Sequence, residues 1–266
     1  MTDASDGAPT SHRLVAEERR QRIRDLLRRQ SIASLSELTQ VTGASEATVR
    51  RDLVLLEGGG FLTRTRGGAR AVRRPSTLED EFEIRQSRDR REKRLIGQRA
   101  AELLTDGMTV FLNDGTSAFA LAQCITGRRL TVVTSALNIA ELLAGSAAVE
   151  VLVIGGRLRD TSFGTTGPMS VDAISALHAD VAVIGADGVT LDGGVRAFSI
   201  DDAAVVRAMS AHASRTMVLA SPVKIGVDGR VRMVDWPQVD QLVTTALPAE
   251  FAAALARRGV RVIVAT

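Results

Sequence analysis

Cysteine occurs once in the 266 residues, at Cys124, lysine twice, at Lys93 and Lys224, and histidine three times, at His12, His178 and His212. A lone cysteine excludes an internal disulfide framework and any multi-cysteine metal site, and it suits a reducing cytoplasm. None of the three histidines stands in the glycine-containing turns described below. No catalytic triad, metal cluster or cofactor site is therefore expected. No uncharged apolar run reaches about 18 residues, so no transmembrane helix is expected. The first twelve residues are polar and lack the apolar core of a signal peptide; they read as a disordered tail. Because nearly all basic residues are arginine, the two lysines stand out, lysine and arginine not being equivalent at a buried anion site. The length suits one large or two moderate domains.

The stretch Ala44 to Glu57 is the most informative part of the chain. With Val49 as the origin of a helical wheel, Leu53 and Leu56 fall within about 40° of it, an apolar stripe for a core. Ala47, Arg50, Arg51 and Val54 then point the other way. A small-plus-arginine face suits the major groove of DNA, where small side chains allow close approach and arginine reads guanine or grips phosphate. Upstream, residues 16–30 carry Ile23, Leu26 and Leu27 at helical spacing. Ser34-Leu35-Ser36-Glu37 is a capping box that opens a short helix over 35–41, with Leu35, Leu38 and Val41 expected inside. Thr42-Gly43-Ala44 supplies a tight turn through a glycine at positive φ, and Ser45 is a good N-cap. Helix, short helix, glycine turn and arginine-bearing helix is the helix-turn-helix order. Beyond Gly58-Gly59-Gly60, Thr63 and Thr65 alternate with Arg64 and Arg66, a two-stranded wing closed by Gly67-Gly68.

Charge is divided unevenly along the chain. Residues 13–74 hold fourteen arginines against seven acidic residues, a net of +7, whereas the whole chain is +3. A basic module joined to a mildly acidic one is what binding of a phosphate backbone by one domain requires. The domains read as a tail over 1–12, a winged helix-turn-helix over 13–70, a charged linker over 71–94 and an α/β domain over 95–266. In the linker, Arg85, Arg88 and Arg91 read as a solvated hinge or as contacts to DNA or a partner subunit, and a helix is expected from about residue 90 to 104.

After Met108 the pattern becomes short β-branched runs alternating with small-residue helices. Strands are expected over 108–112, 130–134, 149–154, 181–184, 216–220, 241–244 and 260–265, and helices over 118–125, 136–143, 170–177 and 201–211. Continuous apolar strands alternating with helices indicate a parallel sheet, whose ligands sit beyond the carboxyl ends of the strands. Five loops fall there: Asn113-Asp114-Gly115-Thr116-Ser117, Thr134-Ser135-Ala136, Ile154-Gly155-Gly156-Arg157, Gly185-Ala186-Asp187-Gly188 and Ser221-Pro222-Val223-Lys224. Glycines, hydroxyls and free helical N–H groups at such ends cradle anions.

The run SEATVRRDLVLLEGGGFLTRTRGGA resembles the N-terminal signature of the DeoR family of bacterial transcriptional regulators, and residues 80–260 resemble that family's sensor domain. The resemblance implies a fold similar to ribose-5-phosphate isomerase behind the winged helix-turn-helix, and a sugar-phosphate effector. It implies effector contacts from Asn113, Asp114, Gly115, Thr116, Ser117, Thr134, Gly155, Gly156, Asp187, Arg196 and Lys224. The family pattern D-S-G-T-T stands here as Asn113 to Ser117, T-N-S as Thr134-Ser135-Ala136, T-T as Arg196-Ala197, and D-S-S-K as Ser221 to Lys224. Asp114 therefore adds a negative charge where phosphate is expected, and Arg196 is the residue that could compensate it.

The expected function is a cytoplasmic, sequence-specific repressor of carbohydrate genes. Its expected partners are a double-stranded DNA operator, a small-molecule effector and further copies of itself, with no membrane. Ser45, Ala47, Thr48, Arg50 and Arg51 are expected in the major groove, and Arg64 and Arg66 on phosphate or in the minor groove. Two other readings are open: a regulator whose second domain only oligomerises, and an isomerase-like enzyme using Asp187 and Lys224. Turnover of an aldose or ketose phosphate would select the enzyme; no thermal shift by any sugar would select the ligand-free regulator.

Overall fold

A computed structural model describes residues 16–30, 32–58, 62–71 and 82–266. The expectations for residues 1–12, for Gly59 and Gly60 and for the linker between 72 and 81 lie outside them. The chain divides into two compact units, Met1–Ser76 and Thr77–Thr266.

The first unit runs α1 (Ala16–Gln30), β1 (Ile32–Ser34), α2 (Leu35–Thr42), α3 (Glu46–Gly58), β2 (Leu62–Thr65) and β3 (Gly68–Ala71). Ser34 caps α2: its hydroxyl accepts from the Glu37 N–H, and the Glu37 carboxylate accepts from the Ser34 N–H at 2.7 Å. Gly43, at φ 62°, ends that helix. Its buried side is Leu35, Leu38 and Thr42, not Val41, which is 36% exposed. Thr42 can turn inward because its hydroxyl donates to the Leu38 carbonyl at 2.6 Å, which satisfies the buried polar atom. The wing gains a third strand: β1 pairs with β3, giving the order β1-β3-β2. Gly68 is needed at that crossing, since a Cβ there would run into the Ala33 carbonyl. Val49, Leu53 and Leu56 of α3 meet Ile23 and Leu27 of α1 in the core. Beside them Asp52, 3% exposed, accepts from the Arg19 guanidinium at 2.5 and 3.2 Å, and that pairing raises the Arg19 pKa.

The second unit opens with α4 (Phe82–Ser87) and α5 (Arg90–Glu102). Residues 82–94 are thus not a linker. Phe82 is buried, and its ring meets Phe119 and Phe163 edge-on at 5.6 and 5.8 Å, an apolar anchor that a reading of charge alone does not register. Then follow β4 (Thr109–Leu112), α6 (Thr116–Cys124), β5 (Leu130–Thr134), α7 (Leu137–Ala144), β6 (Val149–Val153), β7 (Arg157–Leu158), β8 (Thr165–Thr166), α8 (Pro168–Ser175), β9 (Val181–Gly185), β10 (Gly188–Thr190), β11 (Gly194–Ala197), α9 (Ile200–Ala211), β12 (Thr216–Leu219), β13 (Val231–Val234), β14 (Gln241–Thr244), α10 (Ala249–Arg257) and β15 (Arg261–Val264).

Seven strands form one parallel sheet in the order β15-β14-β12-β9-β4-β5-β6. All seven are expected from the sequence. The chain winds from β4 to β6 in one direction, then from β9 to β15 in the other. The reversal lies between the neighbours β4 and β9, and at such a switch point the loops beyond the strand ends part to leave a crevice.

Asp52 is buried while its partners Arg19 and Arg20 reach solvent, so removing the carboxylate costs its charge-assisted hydrogen bonds, about 1–3 kcal/mol. Asp52→Ala is therefore expected to destabilise the first unit selectively. In thermal denaturation its transition should fall while that of the second unit stays in place. A first-unit transition within 1 °C of the parent's, taken as about a tenth of a kcal/mol, would show that Asp52 contributes nothing there.

Candidate functional site

The outer face of α3 is built as the wheel requires. Ala47, Arg50, Arg51, Val54 and Leu55 are exposed, while Val49, Leu53 and Leu56 are buried. Ser45 precedes the helix and its hydroxyl meets Thr48 twice, at the Thr48 N–H and at the Thr48 hydroxyl. Arg50 lies 3.5 Å from Glu46 one turn back, both exposed. In the wing, Arg64 is clipped to the end of α3: its guanidinium donates to Glu57 at 2.6 Å, and its backbone N–H donates to the same carboxylate at 2.8 Å. These two bonds hold the Glu57 carboxyl below its usual range. Arg66 stands exposed in the turn between β2 and β3. The helix thus offers Arg50 and Arg51, and the wing offers Arg66, on accessible backbone, whereas Arg64 is already oriented by the protein.

In the second unit a cleft opens where the topology places it. It is lined by Asn113, Asp114, Gly115, Thr116 and Ser117 after β4, by Gly185, Ala186 and Asp187 after β9, and by Arg85, Asp202 and Lys224. Asn113 joins the two halves: its Oδ1 accepts from the Gly185 N–H at 2.8 Å. Gly115, at φ 130°, turns the chain into α6, so the first N–H groups of that helix face the cleft without intrahelical partners. The Ser117 hydroxyl, buried in the same turn, has no hydrogen-bond partner. Asp114 packs against Gly164, where a Cβ would stand 2.7 Å from its carboxyl carbon. Asp187 accepts from the Phe198 N–H at 2.9 Å and lies 3.9 Å from the Arg85 guanidinium. Asp202 pairs with Arg159, and Lys224 donates to the Ala186 carbonyl.

Of the residues expected around an effector, Asn113 to Ser117, Asp187 and Lys224 line the cleft; four do not. Arg196 does not answer Asp114. Its guanidinium donates to the Gly229 carbonyl and pairs with Asp228 at 2.8 Å, because β11 pairs with β13 and directs the side chain to the loop before β13. Thr134 is fully buried and bridges strands, donating to the Leu112 carbonyl and accepting from the Ala136 N–H. Gly155 and Gly156 serve packing: the Gly155 carbonyl accepts from Ser170, and the Gly156 backbone lies against Thr166. Two charged cleft residues were not anticipated as effector contacts. Asp202 sits in the first turn of α9 behind the Ser199 N-cap, a signal that the Ser-x-x-Asp spacing carries. Arg85 lay in the charge-dense stretch, where only its place on α4 reveals where it points.

Residues 19–74 match the model of the DeoR-like helix-turn-helix domain, and residues 88–246 match that of the DeoR C terminal sensor domain. The chain belongs to the DeoR family. The HTH-type transcriptional repressor CsqR of Escherichia coli is 30% identical over 88% of this chain and 90% of its own. The HTH-type transcriptional repressor GlcR of Bacillus subtilis is 30% identical over 94% and 97%, and the glycerol-3-phosphate regulon repressor of Escherichia coli 28% over 87% and 91%. Ribose 5 phosphate isomerase A from Neisseria gonorrhoeae superposes with a TM-score of 0.37 at 15% identity, covering 51% of this chain and 53% of that one. Arg85 falls between the two segments that match the DeoR family models.

Lys93 supports the helix that carries Arg85. It is buried and donates to the carbonyls of Arg85 and, at 2.6 Å, of Arg88, closing the end of the helix that carries Arg85. Burial and the nearby Lys224 charge push its ammonium down to about 8 from the ordinary 10.5, with Asp89 opposing. Between these values the unfolded chain keeps a proton that the folded chain has released, so this group adds stability as pH rises. From pH 7.5 to 9.5 the full chain is expected to gain about 1–2 kcal/mol over Lys93→Met in unfolding of the second unit. Parallel pH profiles for the two proteins would show that Lys93 is charged and unstrained in the fold.

Proposed function

We propose that the chain is a transcriptional repressor that reads DNA through α3 and the wing and is controlled by a sugar phosphate bound in the cleft between β4 and β9. The observation that carries the effector half is the convergence of an unpartnered buried hydroxyl, Ser117, with the N-terminus of α6, Arg85 and Lys224. Free helical N–H groups and the helix dipole attract a phosphate, and a guanidinium beside a lysine supplies the charge to hold it. Asp202 pairs with Arg159 and Asp187 lies 3.9 Å from Arg85; these carboxylates and Asp114 serve as acceptors for sugar hydroxyls, and Lys224 with the α6 N-terminus takes the larger share of the phosphate. The named roles of CsqR, GlcR and the glycerol-3-phosphate regulon repressor support a repressor of carbohydrate genes. They also favour sensing and DNA binding over turnover. Repeated copies reading symmetric half-sites fit a single reading helix per chain, and a ligand that prefers one arrangement of the two units shifts the population of DNA-bound states. Among the described residues no helix is long and apolar enough to cross a membrane.

Thermal shift on the full chain tests the effector. A panel of glycerol 3-phosphate and hexose 6-phosphates, run beside the unphosphorylated compounds, is expected to contain a stabiliser worth about 2–3 kcal/mol at a hundredfold excess over its Kd. Lys224→Ala and Arg85→Ala should each remove that shift. A panel without any stabiliser would remove the sugar-phosphate reading and leave a second unit that only assembles. On the DNA side, Arg51→Ala should cost about 1–3 kcal/mol of discrimination between operator and random duplex. Equal losses on both duplexes would make Arg51 a phosphate contact.

A further inference from the structure

The outward face of α3 changes character halfway along. Its first half carries Arg50 and Arg51, whereas its second half carries Val54 and Leu55, 49% and 59% exposed, and no cation. Arginine is plentiful in this unit, fourteen among residues 13–74. Yet the position one turn beyond Arg50 and Arg51, where a helix that only grips phosphate would place another, is valine. At about 100° per residue the buried Val49, Asp52, Leu53 and Leu56 mark one direction of the helix, and Ala47, Arg51 and Val54 fall within about 30° of the opposite one. Leu55 and Arg50 lie about 70° to either side. The crest of the helix is therefore alanine, arginine and valine at i, i+4 and i+7. That line is about 10.5 Å long, about three base-pair steps.

We propose that Val54 is a specificity-determining residue that reads a thymine through its C5-methyl group, about one or two base pairs from the position Arg51 engages. The inference rests on the reading of DNA through α3 given above. Valine offers neither donor nor acceptor, so it separates base pairs by apolar contact alone. The thymine methyl is the apolar group that the major groove displays. Ala47, two turns earlier on the crest, is small enough to let the helix sink until a short branched side chain reaches a base edge. Glu57, one turn beyond Val54, does not oppose the contact, because the Arg64 guanidinium and N–H hold its carboxylate. A protein partner is disfavoured: Val54 shares its crest with an arginine, on the unit that carries a net charge of +7, and a polyanion is steered to such a face.

Duplexes selected by the full chain from a random-sequence pool supply the probe. Each thymine is replaced in turn by deoxyuridine, which lacks only the C5-methyl. At one thymine in each half-site the replacement should weaken binding about three- to fivefold, the contribution of one buried methyl group. Val54→Ser should keep the thermal transition of the first unit and bind the thymine and uracil duplexes equally, at the lower affinity. The same scan with Leu55→Ser should match the parent's. A pool that yields no preferred sequence would overturn base reading by α3 and this inference with it. A preferred sequence whose uracil scan is flat, or whose methyl penalty survives in Val54→Ser, would overturn the assignment of Val54 alone. A flat scan together with unchanged affinity of Val54→Ser for the duplex would overturn it in favour of contact with a protein.

Discussion

The reversal of strand order between β4 and β9 is the constraint on which the sensor unit depends. Parallel neighbours that leave the sheet in opposite winding directions cannot close over their own carboxyl ends, so a crevice there is a consequence of topology. The Asn113–Gly185 hydrogen bond holds its two lips at a fixed separation. An amide oxygen accepts that bond without bringing a charge. The carboxylate stands one residue later, at Asp114, seated on Gly164. The buried Asn113 is thus uncharged, and the Asp114 charge meets the 157–166 loop.

Most large elements were legible because each announces itself through a single period, although α4 and α10 were not anticipated. The seven sheet strands are continuous apolar runs, the helices between them carry small residues at 3.6 spacing, and α2 opens on a capping box. The short pieces were not legible: β1, β7, β8, β10, β11 and β13 are two to four residues long and derive their pairing from neighbours distant in sequence. Val41 was misplaced for a related reason. Apolarity alone favours it over Thr42, yet the threonine hydroxyl returns to the Leu38 carbonyl and so costs little to bury.

The site was legible where loop and helix N-terminus are contiguous in sequence, as in Asn113 to Ser117, and illegible where the side chain arrives from elsewhere. Arg196 and Arg85 make the contrast. Both are arginines near acidic residues in the sequence, but strand pairing commits Arg196 to the Asp228 loop, whereas the aromatic anchor of Phe82 sets Arg85 beside Asp187. Charge counting cannot separate them. The deciding quantity is the direction that an apolar neighbour imposes on the backbone.

Phe82 ties this geometry to the rest of the sensor unit. Its ring touches Phe119, on the helix whose N-terminus forms the cleft, and Phe163, on the loop whose Gly164 receives Asp114. The short helix α4 is thereby fastened to α6 and to the loop that carries Phe163, and Lys93 closes its carboxyl end. Arg85 and Phe82 share this short helix, so the ring contacts with Phe119 and Phe163 fix the position of both. α4 is the first described element after the boundary at Ser76–Thr77.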